Sequence, residues 1–292
     1  MSETIALAAQ QLPDFVDLAF ARRLEMAETI LPDCVAALKN YAPHEPFAAE
    51  NIAGGVAFFG GKDYPANQAV GMGLYGEVTS EDMDRVEDFF RGREVASTIV
   101  LSPLAVASLP ALLGARGYRI AEFNSVLIRR IEGNEVLAPP DGIAIERVTT
   151  ETLQPWMQAI AQGFALDVTV AQEVFGGFSV LPGSLAFSAS IDGKVVGGCG
   201  GRVISEARIA ALFGTATLPE YRRRGVQSAL IARRLHEAAL RGCEYAVVST
   251  NPGSGSQRNM ERRGFRLAYT KVVMTHAWPE PSPPEKEGNH GY

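Results

Sequence analysis

Cysteine is scarce in this chain: three in 292 residues (Cys34, Cys199 and Cys243), with no CxxC pair among them. That leaves no disulfide framework, and four scattered histidines leave no expected metal site. Cys199 and Cys243 read as small core residues rather than nucleophiles. Long apolar runs are also missing. None approaches the ~20 residues that a membrane helix needs, and Met1-Ser2-Glu3-Thr4 has neither the basic stretch nor the apolar core of a secretion signal. With 47% hydrophobic and 21% charged residues the composition is that of a globular protein, not a disordered one. The net charge of −6 speaks against a dedicated nucleic-acid binder. The expectation is a soluble cytoplasmic protein with no metal, membrane or nucleic-acid partner.

What is present points to two units. The length is about twice that of a common domain of roughly 100–150 residues. Charge divides unevenly: residues 1–142 carry a net −9, residues 143–278 a net +5 and the tail −2. The run Glu132–Gly142, with Pro139-Pro140 and Asp141-Gly142, reads as the connection. We place a first domain at 1–136, a linker at 137–142, a second domain at 143–278 and a disordered, proline-rich tail at 279–292. The halves also echo each other. Arg116-Gly117-Tyr118-Arg119-Ile120-Ala121 aligns with Arg263-Gly264-Phe265-Arg266-Leu267-Ala268, each between a helical segment and a strand-like one. That pattern suggests two tandem copies of one fold.

Periodicity in the second half predicts strands at 143–148, 184–191, 194–203, 208–217, 245–249 and 266–274. Helices are predicted at 151–165 (capped by Thr149 or Thr150), 168–178, 226–240 and 256–263. Asp192-Gly193 reads as a hairpin turn. The implied fold class is α/β: a mixed, mostly antiparallel sheet with helices on both faces.

The most informative stretch is Thr217-Leu218-Pro219-Glu220-Tyr221-Arg222-Arg223-Arg224-Gly225-Val226-Gln227, between a strand and an amphipathic helix. First-turn amides of a helix lack intrahelical partners and carry partial positive charge. Gly225 permits close approach of a ligand, and the arginines add donors. A phosphate or pyrophosphate is the expected occupant; the alternative is three solvated arginines ahead of an ordinary helix. Neither a Walker loop nor the Gly-x-Gly-x-x-Gly fingerprint opens this helix.

Residues 211–230 resemble the acyl-CoA-binding core of the GNAT superfamily of N-acetyltransferases. The departure is Gln227, where that family most often has Gly or Ala. The resemblance implies acetyl-CoA as acyl donor and a small-molecule or peptide amine as acceptor. Thr215, Ala216 and Thr217 would align the pantetheine arm, while Arg222, Arg223, Arg224, Gly225, Val226, Gln227 and Ser228 would hold the pyrophosphate. The strand would splay near Gly214, where an amide could face the thioester carbonyl. Ser256 and Asn259 would belong to a second CoA-contacting turn. Catalytic groups do not carry over. Met260 stands where many relatives place a tyrosine acid, and the strand 208–217 holds no carboxylate. Glu206 and Glu220 flank that strand as possible bases, and Tyr221, Tyr245 and Tyr269 are possible acids.

In the first half the strand-like 69–75 is followed by Thr79 or Ser80, which suits a helix cap, and by acids (Glu81, Asp82, Asp84) that suit its first turn and repel an anion. We expect a degenerate copy there without a CoA loop. A non-catalytic acyl-CoA-binding regulatory module and a polyanion binder are the alternatives. Monomer and homodimer both remain open.

Overall fold

The computed structural model describes residues 15–133, 139–168 and 172–278. The expected tail at 279–292 and part of the linker lie outside the described residues. In the first half come α1 (Leu18–Ala27), α2 (Cys34–Tyr41), β1 (Ala48–Ile52), β2 (Gly55–Phe59), β3 (Gln68–Val70), α3 (Ser80–Arg91), β4 (Ser97–Leu101), α4 (Ser108–Ala115) and β5 (Arg119–Arg130). The second half supplies β6 (Ala144–Arg147), α5 (Leu153–Phe164), a π-helical turn (Gln172–Gly176) and α6 (Gly177–Val180). After these come β7 (Phe187–Ile191), β8 (Lys194–Ile204), β9 (Ile209–Thr217), α7 (Val226–Leu240), β10 (Tyr245–Thr250), α8 (Gly255–Glu261) and β11 (Arg266–His276).

Among the described residues, eleven strands form one sheet in the order β1-β2-β3-β4-β11-β5-β10-β9-β8-β7-β6. Each half gives its last strand to the other. β5 lies between β11 and β10, and β11 lies between β4 and β5, with all three contacts antiparallel. The exchange buries Val126, Leu127 and Ile128 of β5 to within 2% of full burial, each contributing roughly 1.5–3 kcal/mol. Parallel pairing occurs at β3/β4 and at β9/β10.

Alternation along the central strands sorts the core. Leu127, Ala210, Leu212, Ala246 and Val248 point to one face, where Leu230, Ile231 and Leu235 of α7 cover them. Their neighbours Val126, Ile128, Ile209, Ala211 and Val247 point to the other, under Phe20 and Leu24 of α1. The repeated hexapeptide has a shared physical cause. Gly117 (φ +82°) and Gly264 (φ +83°) each take the left-handed conformation after a helix. The next amides, of Tyr118 and Phe265, then donate back to Leu113 O (3.0 Å) and Met260 O (3.2 Å). Both aromatic rings are buried.

Several expectations need correction. Thr152, not Thr149 or Thr150, is the N-cap of α5, and it makes no side-chain cap bond, because its Oγ1 instead accepts from Thr149 N (2.8 Å). The helix expected at 168–178 is a π-helical turn followed by the short α6, among the described residues. The strand expected from Ser184 begins at Phe187. The run 69–75 leaves the sheet after Val70, because Gly71 and Gly73 have positive φ (84° and 74°).

Candidate active site

β9 and β10 pair only at Ile209–Ala211 and Tyr245–Val247, and beyond that the two parallel strands separate. On its other side β9 carries a bulge. Gly198 pairs with Ala216 and Gly200 with Phe213, so Gly214 and Thr215 fall outside the register. Gly214 has φ +57°, and a Cβ there would lie 2.9 Å from the Phe175 ring. Two adjoining clefts follow this gap. One, of about 410 Å3, is lined by Thr215–Thr217, Tyr221–Arg223, Gly225–Ser228 and Asn259, together with Gly163. The other, of about 510 Å3, runs from Gly214 past Ser249–Asn251 to Ser256 and Met260. Thr215, Gln227 and Asn259 line both.

The helix end at this cleft is bare. Gly225 is the N-cap of α7 at φ +89° and offers no side-chain acceptor to the first-turn amides. A Cβ at this position would also come within 2.8 Å of Pro140 Cγ, so the linker itself requires glycine here. Among the arginines the structure distinguishes three roles. Arg222 donates to Gly163 O (3.1 Å) and Thr217 O (3.3 Å), which staples the loop to the end of α5. Arg223, held at φ +62°, lines the cleft. Arg224 lies over the Tyr221 ring, 5.4 Å from its centroid, and is not among the cleft's lining residues. Gln227 Oε1 accepts from Asn259 Nδ2 (3.0 Å), tying α7 to α8. Ser228 accepts a hydrogen bond from Arg263.

Residues 153–265 match the family model described as Acetyltransferase (GNAT) family. That stretch is a GNAT acetyltransferase domain. No curated protein sequence matches the chain. The fold of the whole chain is similar to a GCN5-related N-acetyltransferase from Kribbella flavida, at 16% identity and a TM-score of 0.60, covering 89% of this chain and 96% of that one. It is also similar to a GCN5-related N-acetyltransferase from Sphaerobacter thermophilus (16%, TM-score 0.54, 91% and 96% covered). A tandem GNAT protein from the clavulanic acid biosynthesis pathway is similar as well (14%, TM-score 0.57, 90% and 95% covered).

Within the GNAT domain, Arg234 is a site residue that carries no motif. It lies on the sheet-facing side of α7, 1% exposed, where periodicity alone predicts an apolar side chain. Its guanidinium donates to Gly200 O (2.7 Å), Phe213 O (3.3 Å) and Thr215 Oγ1 (2.7 Å), so it holds the two strands together around the bulge. Burial pushes its pKa down, and its hydrogen bonds are to neutral carbonyl and hydroxyl oxygens.

The carboxylates flanking β9 do not reach the clefts. Glu220 pairs with Lys194 at 3.6 Å on the surface, and Glu206 is exposed. Of the tyrosines, Tyr221 lines the cleft, Tyr245 packs at a tilt against Phe20 (ring centroids 4.8 Å apart), and Tyr269 donates to Glu25 Oε1 (2.8 Å). Burial, then Glu25, pushes the Tyr269 hydroxyl far above its ordinary range. Met260 is buried at the wall of the cleft and has no proton to give. Carboxylates come instead from α1 (Glu25) and its C-cap (Glu28). Lys271 meets Glu25 at 3.1 Å and is also bonded to Glu28, which accepts from Ser249 at the edge of the splayed strands. Burial opposes the Lys271 charge, but the two carboxylates overcome it and hold its pKa above the usual lysine value. Burial raises Glu25, with Lys271 opposing, as expected when two carboxylates share one ammonium.

Among the described residues no helix is long and apolar enough to cross a membrane. No group of three or more His, Cys, Asp or Glu there is arranged to hold a metal.

Proposed function

We propose that the protein transfers the acetyl group of acetyl-CoA to a primary amine. The observation that carries this reading is the bulged, splayed end of β9, which leaves Gly214 and Thr215 unpaired beside a bare helix N-terminus. The residues present fit the donor. Thr215, Ala216 and Thr217 offer a free strand edge to the pantetheine arm, and the α7 amides with Arg223 suit the pyrophosphate. Arg222 and Arg224 act one step back, by fixing the loop and Tyr221. Acetyl-CoA supplies a thioester whose C–S bond breaks as the C–N bond to the amine forms, the amine's proton ending on the CoA thiol.

The protein's own contribution is positioning and charge. An amide of the bulge stabilises negative charge on an acyl oxygen, and Arg234 keeps that bulge rigid. Glu28 is the carboxylate best situated to accept the amine's proton, since its partner Ser249 lines the cleft. We infer further that the first half is a degenerate copy of the same fold, because it repeats the strand–helix–strand unit, the Gly-aromatic helix end and the exchanged last strand.

Titration calorimetry with acetyl-CoA tests the donor site. Micromolar binding is expected, weakened about tenfold by Arg223→Ala (about 1.4 kcal/mol). No binding by the natural chain overturns the reading. Met260 favours a second reading, an acyl-CoA-binding module without turnover; binding with no CoA release across a broad amine panel would support it.

A further inference from the structure

On the α1 side of the sheet, a cavity of about 220 Å3 adjoins the CoA cleft, and Leu212, Phe213 and Ser249 line both. It is smaller than the roughly 300–1,000 Å3 of sites for drug-sized ligands, so its occupant is small. Much of the wall is apolar, including Val56 and Phe58 of the first half and Phe178, whose ring lies 4.5 Å from that of Phe213. Three charged side chains line it: Glu28, Lys271 and Arg202. Lys271 is neutralised by Glu25 and Glu28. Arg202 is not neutralised. It is 8% exposed and, among the described residues, forms no ion pair. Its Nη1 makes one long bond to Thr29 O (3.5 Å), and its buried Nε has no acceptor. A buried guanidinium without a counter-charge is costly, and its planar fork of donors matches a carboxylate.

We propose that this cavity is the acceptor subsite and that the acceptor is a small, amino-acid-like primary amine whose carboxylate pairs with Arg202. Its amine lies beside Glu28 and Ser249, at the opening toward the CoA cleft. This proposal rests on the acetyl-transfer reading. Among the described residues Arg202 has no carboxylate within ion-pair distance, and the carboxylate of the acceptor supplies one. A phosphate would bring a second negative charge toward Glu28, and a diamine would leave Arg202 unpaired while adding positive charge.

The test begins with acetyl-CoA binding, whose absence overturns the acetyl-transfer reading itself. Given binding, CoA release and calorimetry with CoA present are measured for the α-amino acids and for ω-amino acids of two to six carbons. Matched alkylamines, diamines, phosphoethanolamine and short peptides are run beside them. The expected result is at least one amino acid with kcat/KM tenfold or more above its matched alkylamine and diamine. Arg202→Gln should raise its KM tenfold or more with a much smaller change in kcat, and remove the preference over the alkylamine. Arg202→Lys should restore part of it, and acetyl-CoA affinity should not change in either variant. If Arg202→Gln does not fold, the wild-type panel and Arg202→Lys carry the test. The proposal is overturned if alkylamines, diamines, phosphoethanolamine or peptides are preferred. Failure of every amino acid to bind or turn over, or an unchanged KM in Arg202→Gln, overturns it equally.

Discussion

β3–α3–β4 and β9–α7–β10 are the same strand–helix–strand unit, each with its two strands parallel, yet their helices begin differently. In α3, Thr79 Oγ1 accepts from Asp82 N (3.1 Å) while Asp82 Oδ2 accepts from Thr79 N (3.0 Å), a closed capping box. In α7 the corresponding place is Gly225, with no side chain to cap anything. The ninth residue of each helix differs too. It is buried Arg234 in α7, bonded to a bulged strand, and solvent-facing Asp88 in α3, beside a strand without a bulge. The contrast shows how little separates a stable helix end from an anion site. One carboxylate and one hydroxyl satisfy the amides that a phosphate would otherwise meet.

The comparison breaks most visibly at Gly225. Installing a carboxylate cap with Gly225→Asp puts negative charge and a strained φ where the anion should bind, and acetyl-CoA affinity should fall 100-fold or more by calorimetry. An unchanged affinity would mean that the bare helix end is not the site. Next comes Arg234→Met, which leaves the bulge carbonyls without a donor. A loss of about 2 kcal/mol is expected in denaturant unfolding, given roughly 1–3 kcal/mol for an orphaned buried group. Asp88→Asn should shift stability by less than about 0.5 kcal/mol. The capping box falls between these two: Thr79→Ala should cost about 1 kcal/mol and leave acetyl-CoA binding untouched. That cap also has a pH signature. The Thr79 amide and hydroxyl hold Asp82 below the usual carboxylate range. Its stabilisation is therefore present above the unfolded pKa of about 3.9 and lost as pH falls through the lower folded value. Asp82 is partly exposed, so the effect is small, and it should vanish in Thr79→Ala melts compared at neutral and acid pH.

Local chemistry was readable from the chain. The bounds of α7 at 226 and 240, the Asp192-Gly193 hairpin and the Thr79 cap follow from periodicity and backbone preference, which act over a few residues. So does the juxtaposition of strand, arginine loop and helix that forms the cleft. A Gly-x-Gly-x-x-Gly run at 71–76 lies between β3 and α3, but its glycines serve a bend, and the amides beyond it are already capped. The exchanged strands left no local mark, because β5 and β11 would read as strands beside any partner.

By itself, then, the sequence determined most elements of the second half, their punctuation and the strand, arginine loop and helix that meet at the uncapped start of α7. Only the tertiary structure decided what meets across the halves. It brought Glu25 of α1 and Glu28, the C-cap of that helix, to Lys271 of β11, and Arg202 of β8 into a cavity walled in part by the first half. The physical reason is range. Hydrogen bonds along a helix or across a turn are fixed by neighbours in the chain. A buried charge is fixed by whatever distant groups the packing of the whole sheet places beside it.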